Sequence, residues 1–329
     1  VELKGVFKMR TPDDAIRIRA YIEAANVKKA VVVGGSFIGL EAAENLHAQG
    51  VVVTVIDFAS QLLPNVLDPE MADYAKRHLQ KQGIRVLTGT KAEKLLGDGR
   101  VTAVRTDTAA LPAELVVLSA GIRPNTAFLA DSGMEMYKGT ILVDERLRTN
   151  LPDVYAAGDC VMVTNRITGR RQWSPMGSSA NLEGRTLAQI LTGQDKTYPG
   201  VLGTGVVKLP GLNCGRTGLT ELQAKEAGYD VVTALAVTDD KAHYYPDAAF
   251  FITKLIADRR THKLLGVQVF GPGAVDKMVD IAVMAINMGA VLEDFENADF
   301  AYAPPFSTAM TGISALGSRF FSSARPDSR

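Results

Sequence analysis

Cysteine is scarce in this chain. Cys160 and Cys214 are the only two among 329 residues, which excludes a disulfide-stapled scaffold and points to a reducing, cytoplasmic setting. A surplus of one charge is also missing: 36 Lys+Arg face 36 Asp+Glu, so no basic field for nucleic acid is expected. No apolar run approaches the ~20 residues of a membrane span, and no secretory leader is read at the start. Histidine is limited to His47, His78, His243 and His262, scattered along the chain. No metal-ligand cluster, internal repeat or low-complexity tract is expected, and only His243, beside two tyrosines, draws interest. What is there, 47% hydrophobic and 22% charged residues, is ordinary globular composition with room for two or three domains.

The most informative stretch runs from Ala30 to Glu41: an apolar run Ala30-Val31-Val32-Val33, a turn Gly34-Gly35-Ser36, and a helix start Phe37-Ile38-Gly39-Leu40-Glu41. Strand, glycine turn and helix in that order build a dinucleotide-phosphate site, because the helix N-terminus presents free N–H groups and positive dipole to a pyrophosphate. Gly34 permits the tight turn and Gly39 lets the helix pack on the sheet. Ser36 replaces the middle glycine of G-x-G-x-x-G; its hydroxymethyl crowds the phosphate slightly and can donate to it. A second strand, Val51 to Ile56, ends at Asp57, 18 residues past Gly39, near the ~20 expected for the acid that binds a ribose 2′-hydroxyl. Phe58-Ala59-Ser60 offer no Arg or Lys for a 2′-phosphate, so NADH is expected over NADPH.

The rest of the chain reads as follows. Thr11-Pro12-Asp13-Asp14 caps a helix over 12–25. Pro69 starts another, stopped by Gly83, with Met71, Tyr74, Ala75, His78 and Leu79 at helical spacing. Strands are expected at 84–87, in a hairpin of 91–96 and 101–106 around Gly97-Asp98-Gly99, and at 115–119. Further strands are expected at 141–143 and 154–157, the latter ending at Gly158-Asp159. Trp173 to Gly184 reads as a loop entering a helix that continues to Leu191. After a turn-rich boundary at 195–200, strands are expected at 204–209, 230–237, 249–258 and 263–270. A helix over 274–288 carries Val275, Met278, Val279, Ala282 and Ile286 on one face. The Ser/Arg-rich tail from Ser318 to Arg329 is expected to be disordered.

With Ala120-Gly121-Ile122-Arg123-Pro124-Asn125 and Thr149-Asn150-Leu151-Pro152-Asp153-Val154-Tyr155-Ala156-Ala157-Gly158-Asp159 added to the glycine turn, the chain resembles the pyridine nucleotide–disulfide oxidoreductases. Within them it looks like the single-cysteine branch of coenzyme A–disulfide reductase, NADH oxidase and NADH peroxidase. The similarity extends from Arg10-Thr11-Pro12-Asp13-Asp14-Ala15 to Tyr302-Ala303-Pro304-Pro305-Phe306-Ser307, and departs from the usual pattern at Met310-Thr311-Gly312. It implies an α/β chain with a Rossmann-like NAD-binding domain (1–118), the second half of an FAD-binding domain (119–196) and an α+β dimerisation domain (197–329).

The resemblance also implies roles. Gly34, Gly35, Ser36, Phe37, Ile38, Gly39 and Asp57 would hold NADH, with Glu41 near the nicotinamide ribose and Ala120-Gly121 closing the cleft. Gly158 and Asp159 would hold the flavin ribityl chain, and Ser179 and Ala180 would lie along the isoalloxazine edge; a turn aspartate is the alternative for Asp159. Tyr244, Tyr245 and Tyr302 would approach the substrate or the partner's redox cysteine, interface packing being the alternative. The family's first glycine-rich loop for FAD and its redox cysteine belong to an N-terminal segment not found before Gly34. Cys160 and Cys214 read as structural. The expectation is therefore an NADH-dependent, FAD-containing reductase, homodimeric, acting on coenzyme A disulfide, of which this sequence is a truncated and by itself inactive part. The alternatives are an oxidase or peroxidase using oxygen or peroxide, and a non-catalytic NADH-binding, dimerising fragment.

Overall fold

The computed structural model describes residues 3–322. The chain opens with β1 (Val6–Lys8), α1 (Pro12–Ala25), β2 (Lys29–Val33), α2 (Phe37–Ala48), β3 (Val52–Ile56), α3 (Pro69–Lys81) and β4 (Arg85–Leu87), followed by β5 (Ala92–Asp98), β6 (Arg100–Thr106), β7 (Ala110–Pro112) and β8 (Leu115–Leu118). The start of α1 is set by a reciprocal cap: Thr11 Oγ1 accepts from Asp14 N at 3.3 Å, and Asp14 Oδ2 accepts from Thr11 N at 2.9 Å, with Pro12 at the first helical position. β1, β8, β2, β3 and β4 form a five-stranded parallel sheet in that order. Val31, Val32, Val53, Val55, Val116 and Val117 are all fully buried, as expected of parallel strands covered on both faces. β5, β6 and β7 make a separate antiparallel sheet.

The next unit holds β9 (Met136–Tyr137), β10 (Thr140–Leu142), β11 (Val161–Thr164), β12 (Arg171–Trp173) and α4 (Gly177–Leu191), its strands ordered β12-β11-β10-β9. Here the expectation of a strand over 154–157 is corrected. Tyr155 makes only an isolated bridge to Arg148, because Asp153 (φ 59°) and Gly158 (φ 89°) bend the backbone on either side. The ladder strand is β11, beyond Asp159 rather than before it.

The last unit comprises β13 (Gly205–Leu209), β14 (Leu212–Gly218), α5 (Glu221–Glu226), β15 (Val231–Asp239), β16 (Phe250–Asp258), β17 (Leu264–Gly271), α6 (Val275–Met288), α7 (Leu292–Glu296) and α8 (Gly312–Ser322). Its antiparallel sheet runs β13-β14-β17-β16-β15. α6 lies so close to β14 that a Cβ on Gly215 would meet Val275 Cγ1 and Val279 Cγ2, both at 2.7 Å. The expected disordered tail is corrected over 318–322, which is helical; residues 323–329 lie outside the described residues.

A buried polar cluster joins the first unit to the last. Asp68, immediately before α3, has its N–H on Gln268 Oε1 at 2.9 Å, and Gln268 Nε2 returns a bond to Asp68 Oδ2 at 2.8 Å. Lys254 Nζ, on a side chain only 2% exposed, lies 2.8 Å from Asp68 Oδ2 and 3.1 Å from Glu221 Oε2, and also contacts Glu70. Breaking a buried ion pair from one side leaves uncompensated charge and costs about 3–5 kcal/mol. Lys254→Met is expected to lower the unfolding free energy measured in urea by about 3 kcal/mol. A loss below about 1 kcal/mol, the scale of a surface pair, would mean that solvent already screens these carboxylates.

Candidate functional site

The turn between β2 and α2 depends on backbone closeness. Gly34 has φ 118°, and a Cβ there would sit 2.4 Å from Ser119 O. A Cβ on Gly39 would fall 1.9 Å from Gly34 O, so α2 can lie this near the strand only with hydrogen at position 39. Ser36 takes the N-cap position in extended conformation, with no side-chain cap bond. Its hydroxyl is free of helix capping, and the first N–H groups of α2 lack intrahelical partners.

Asp57 is 8% exposed. Its Oδ2 accepts from Gly35 N at 2.6 Å and its Oδ1 from Ala59 N at 2.8 Å. The residue read as a ribose acid thus first ties the glycine turn to the loop after β3. Each carboxylate oxygen keeps a further acceptor site for a hydroxyl. Phe58, beside it, is 80% exposed.

Two cavities meet beside α2. The first, of 670 Å³, takes Ser36 and Phe37 from the α2 turn, Ser119 and Gly121 from the end of the parallel sheet, and Thr204 and Arg216 from the last unit. The second, of 1070 Å³, takes Met9, Arg10, Arg123, Asn125, Asp159 and Cys160. Ile38, Glu41, Ile122, Trp173 and Pro175 line both. Partial desolvation, then the Glu44 carboxylate nearby, push Glu41 above the usual carboxylate value. Ala120 and Gly121 edge a further cavity of 530 Å³ together with Lys8, Arg10 and Arg123.

The Gly158–Asp159 turn is held by residues that sequence reasoning passed over. Glu183 on α4, 1% exposed, accepts from Gly158 N at 2.6 Å. Trp173 Nε1 donates to the Asp159 carbonyl at 2.7 Å. Neither contact follows from spacing or composition. Ser179 and Ala180 line neither of the two large cavities. The Ser179 hydroxyl lies 3.0 Å from that of Ser174, and Ala180 packs behind Gly158.

Tyr244, Tyr245 and Tyr302 are 66%, 38% and 50% exposed and contribute to neither large cavity within this chain. Their segments are tied together by Ala242 N donating to Pro304 O at 3.1 Å. The Tyr302 hydroxyl beside Tyr244 holds its phenol above the ordinary tyrosine value. Cys160 and Cys214 are both free thiols. Burial raises the Cys160 thiol and pushes Cys214 up to about 12, which disfavours the thiolate. Among the described residues Asp68, Glu70 and Glu221 come close enough to share a cation, and the Lys254 ammonium already sits among them. No described helix is long and apolar enough to cross a membrane.

Gly39→Ala forces α2 away from the turn and is expected to weaken dinucleotide binding by at least roughly tenfold, read by titration calorimetry. Unchanged affinity would show that the turn does not approach the ligand. Glu183 makes the stability of this unit depend on pH. Its pKa is raised, chiefly by burial and, less, by the Asp159 charge, against the opposing Gly158 N–H and Tyr198 contacts. A raised acid favours the folded state when protonated, so its charge is a cost at neutral pH that fades as pH falls through the raised value. Glu183→Gln keeps an acceptor without the charge. It is expected to raise the thermal midpoint at pH ~8, with the gain vanishing toward pH ~4; a gain that grows on acidification would reverse this sign.

Comparison with known proteins bears on the same residues. Residues 1–180 match the family described as pyridine nucleotide-disulphide oxidoreductase, and residues 206–313 its dimerisation domain. An NAD(P)H coenzyme A polysulfide/persulfide reductase of Pyrococcus horikoshii is 38% identical over 308 residues, 93% of this chain and 69% of that protein. An NADH oxidase of Methanocaldococcus jannaschii is 36% identical over 306 residues, 93% of this chain and 68% of that one. An NAD-dependent persulfide reductase from A. fulgidus superposes with a TM-score of 0.92 at 35% identity, over 98% of this chain and 60% of that one. Reduced Bacillus anthracis CoADR-RHD gives 0.92 at 32%, over 97% and 57%, so the chain spans somewhat under two thirds of these solved structures. With a close-packed glycine turn between strand and helix, two cavities meeting beside it and family matches over residues 1–180 and 206–313, the chain belongs to the pyridine nucleotide-disulphide oxidoreductase family.

Proposed function

We propose that this chain serves an NADH-dependent flavoprotein reductase in which two electrons pass from NADH through FAD to a redox-active cysteine, with coenzyme A disulfide or a related persulfide as acceptor. The observation that carries the reading is the meeting of two cavities over one wall of Ile38, Glu41, Ile122, Trp173 and Pro175. The phosphate-binding turn opens on one cavity and Asp159 on the other. Residues on both sides fit the two cofactors. Gly34 and Gly39 allow the close approach that a pyrophosphate needs, and the Asp159 carboxylate, which makes no hydrogen bond among the described residues, faces a cavity large enough for a nucleotide. FAD, when bound, supplies the two-electron relay between nicotinamide and sulfur.

The chain's residues divide that work. The N–H groups at Phe37 and Ile38 and the Ser36 hydroxyl bind the NADH pyrophosphate, and Asp57 accepts from the ribose 2′-hydroxyl while Gly35 N and Ala59 N hold it still. Glu41 and Gly121 place the nicotinamide ribose at the shared wall, and Asp159 accepts from the flavin's polyol. Ala180 lies behind Gly158, with Ser179 beside it on α4, and the two support the flavin edge from that side. Cys160 and Cys214 are poor candidates for the reactive thiol, since burial raises both. The proposal assigns that thiol to sequence outside these 329 residues. Two such chains pair through the last unit, where Val237, Phe250, Met284 and Met288 are 56%, 67%, 58% and 79% exposed. In that homodimer Tyr244, Tyr245 and Tyr302 are presented to the partner's thiol side. The two unpaired thiols suit a reducing cytoplasm.

The similarity to coenzyme A persulfide reductases favours a coenzyme A-linked sulfur acceptor; the similarity to NADH oxidases supports oxygen as a second reading. NADH consumption by the full-length protein separates them: turnover with coenzyme A disulfide under argon supports the first, and turnover in air without it the second. NADH is expected to exceed NADPH in kcat/KM by at least about tenfold, because Asp57 would meet a 2′-phosphate with like charge. Equal use of both cofactors would overturn the role given to Asp57.

A further inference from the structure

The turn that carries Asp159 is gripped from two directions. On one side the Glu183 carboxylate, 1% exposed, accepts the Gly158 N–H at 2.6 Å. On the other the indole N–H of Trp173 donates to the Asp159 carbonyl at 2.7 Å. The first bond comes from α4 and the second from the end of β12, so the turn is held at both of its ends. Between them lies the backbone from Gly158 N to Asp159 O, including the left-handed glycine (φ 89°) that sets the direction of the next residue. A glycine there is conformationally free, and a Cβ would meet nothing nearer than Ala180 Cβ at 3.8 Å. At Gly158 itself no side chain wedges the backbone, although Ala157 and Cys160 beside it pack against the core of this unit. Two further bonds close the turn internally, Val161 N to Gly158 O at 3.1 Å and Cys160 Sγ to Ala157 O at 3.5 Å.

What the grip aims is the Asp159 side chain. It lines the 1070 Å³ cavity, and no hydrogen bond among the described residues holds its carboxylate. Only its backbone is fixed. We propose that Glu183 and Trp173 are positioning residues that clamp the Gly158–Asp159 turn, so that the Asp159 carboxylate is pre-aimed at the hydroxylated chain of the cofactor in that cavity. This rests on the reading of Asp159 as the polyol acceptor given above. Pre-aiming lowers the ordering cost of binding. Trp173 has a second consequence: its ring stands on the wall common to both cavities and is the chain's single tryptophan, so its emission reports on either site.

The test uses the full-length protein, stripped of flavin and titrated with FAD. Trp173→Phe keeps an aromatic ring and removes the N–H; Glu183→Leu removes the acceptor; Glu183→Gln retains one; Asp159→Ala removes the aimed group. Trp173→Phe and Glu183→Leu are each expected to weaken FAD binding about tenfold, with Glu183→Gln staying within about twofold of wild type. In the Asp159→Ala background Trp173→Phe is expected to have no further effect, the non-additivity of groups acting through one another. In flavin-free protein the Gly158 amide is expected to exchange its hydrogen faster in Glu183→Leu than in Glu183→Gln. Wild-type affinity in Asp159→Ala would overturn the reading of Asp159 and the proposal with it. A weakened Asp159→Ala alongside unaffected Trp173→Phe and Glu183→Leu would overturn the clamp alone. Additive losses, or a Glu183→Gln as impaired as Glu183→Leu, would also overturn it, since they would show general support of the fold.

Discussion

The arrangement depends on one buried contact, Asp68 with Lys254 and Gln268. Asp68 occupies the N-cap position of α3 yet gives its own helix no side-chain bond. Its Oδ1 accepts from Glu221 N at 3.0 Å, and its Oδ2 takes Gln268 Nε2 and Lys254 Nζ, each at 2.8 Å. A side chain that usually serves local helix geometry here joins residues 200 positions apart. Lys254 and Gln268 stand on adjacent strands of the last sheet, paired in register. Such a cluster is weak evidence of net stability, because desolvating the charges offsets much of their attraction. Its strength is geometric: each donor and acceptor is satisfied in one relative placement of the two units, and displacement strands charge away from water.

That fixed placement shapes the 670 Å³ cavity, because its walls come from both units. Ser36 and Phe37 face Thr204, Val206 and Arg216 across it. Helix α2 packs against the last unit as well as its own sheet: a Cβ on Gly205 would meet Phe37 Cζ at 2.9 Å, and Lys208 Nζ lies 3.0 Å from Glu44 Oε1. Arg216, 6% exposed, spends its guanidinium on backbone, with Nη1 on Gly203 O at 2.8 Å and Nη2 on Gly218 O at 2.6 Å. It stiffens the strand ends forming the far wall. Helix α2 is thereby held from both sides.

The elements legible in the sequence were those with strong local periodicity. α1, α3 and α6, the strands flanking the glycine turn, and β15 to β17 follow from apolar spacing and capping residues, within a residue or two of their observed ends. β11 and β12 were not legible as strands, and β14 only as a strand or a turn. β12 has three residues, Arg171-Gln172-Trp173, and no alternation to read. β14 contains an internal glycine, Gly215, and a buried arginine, Arg216, so its sequence fits a strand or a turn equally until the sheet pairs it on both sides. The run Val154 to Ala157 has strand composition but no ladder, since backbone bends on both sides leave one bridge. Propensity lost there to turn chemistry.

The candidate site divides along the same line. Gly34, Gly39 and Asp57 are separated by fixed intervals within one strand–helix–strand unit, so sequence spacing could find them. Glu183 and Trp173 act on backbone atoms 25 and 14 positions away, and a side chain's bond to a distant peptide leaves no periodic trace. Within the clamp the chemistry still restricts the residue type. Gly158 offers a donor, so its partner must accept; the Asp159 carbonyl accepts, so its partner must donate. An indole donates without accepting, and a carboxylate, when ionised, accepts without donating. The pair therefore cannot exchange roles. That constraint ties a buried acid and the lone tryptophan to one backbone geometry, and through it the mouth of one cavity to the wall of the other.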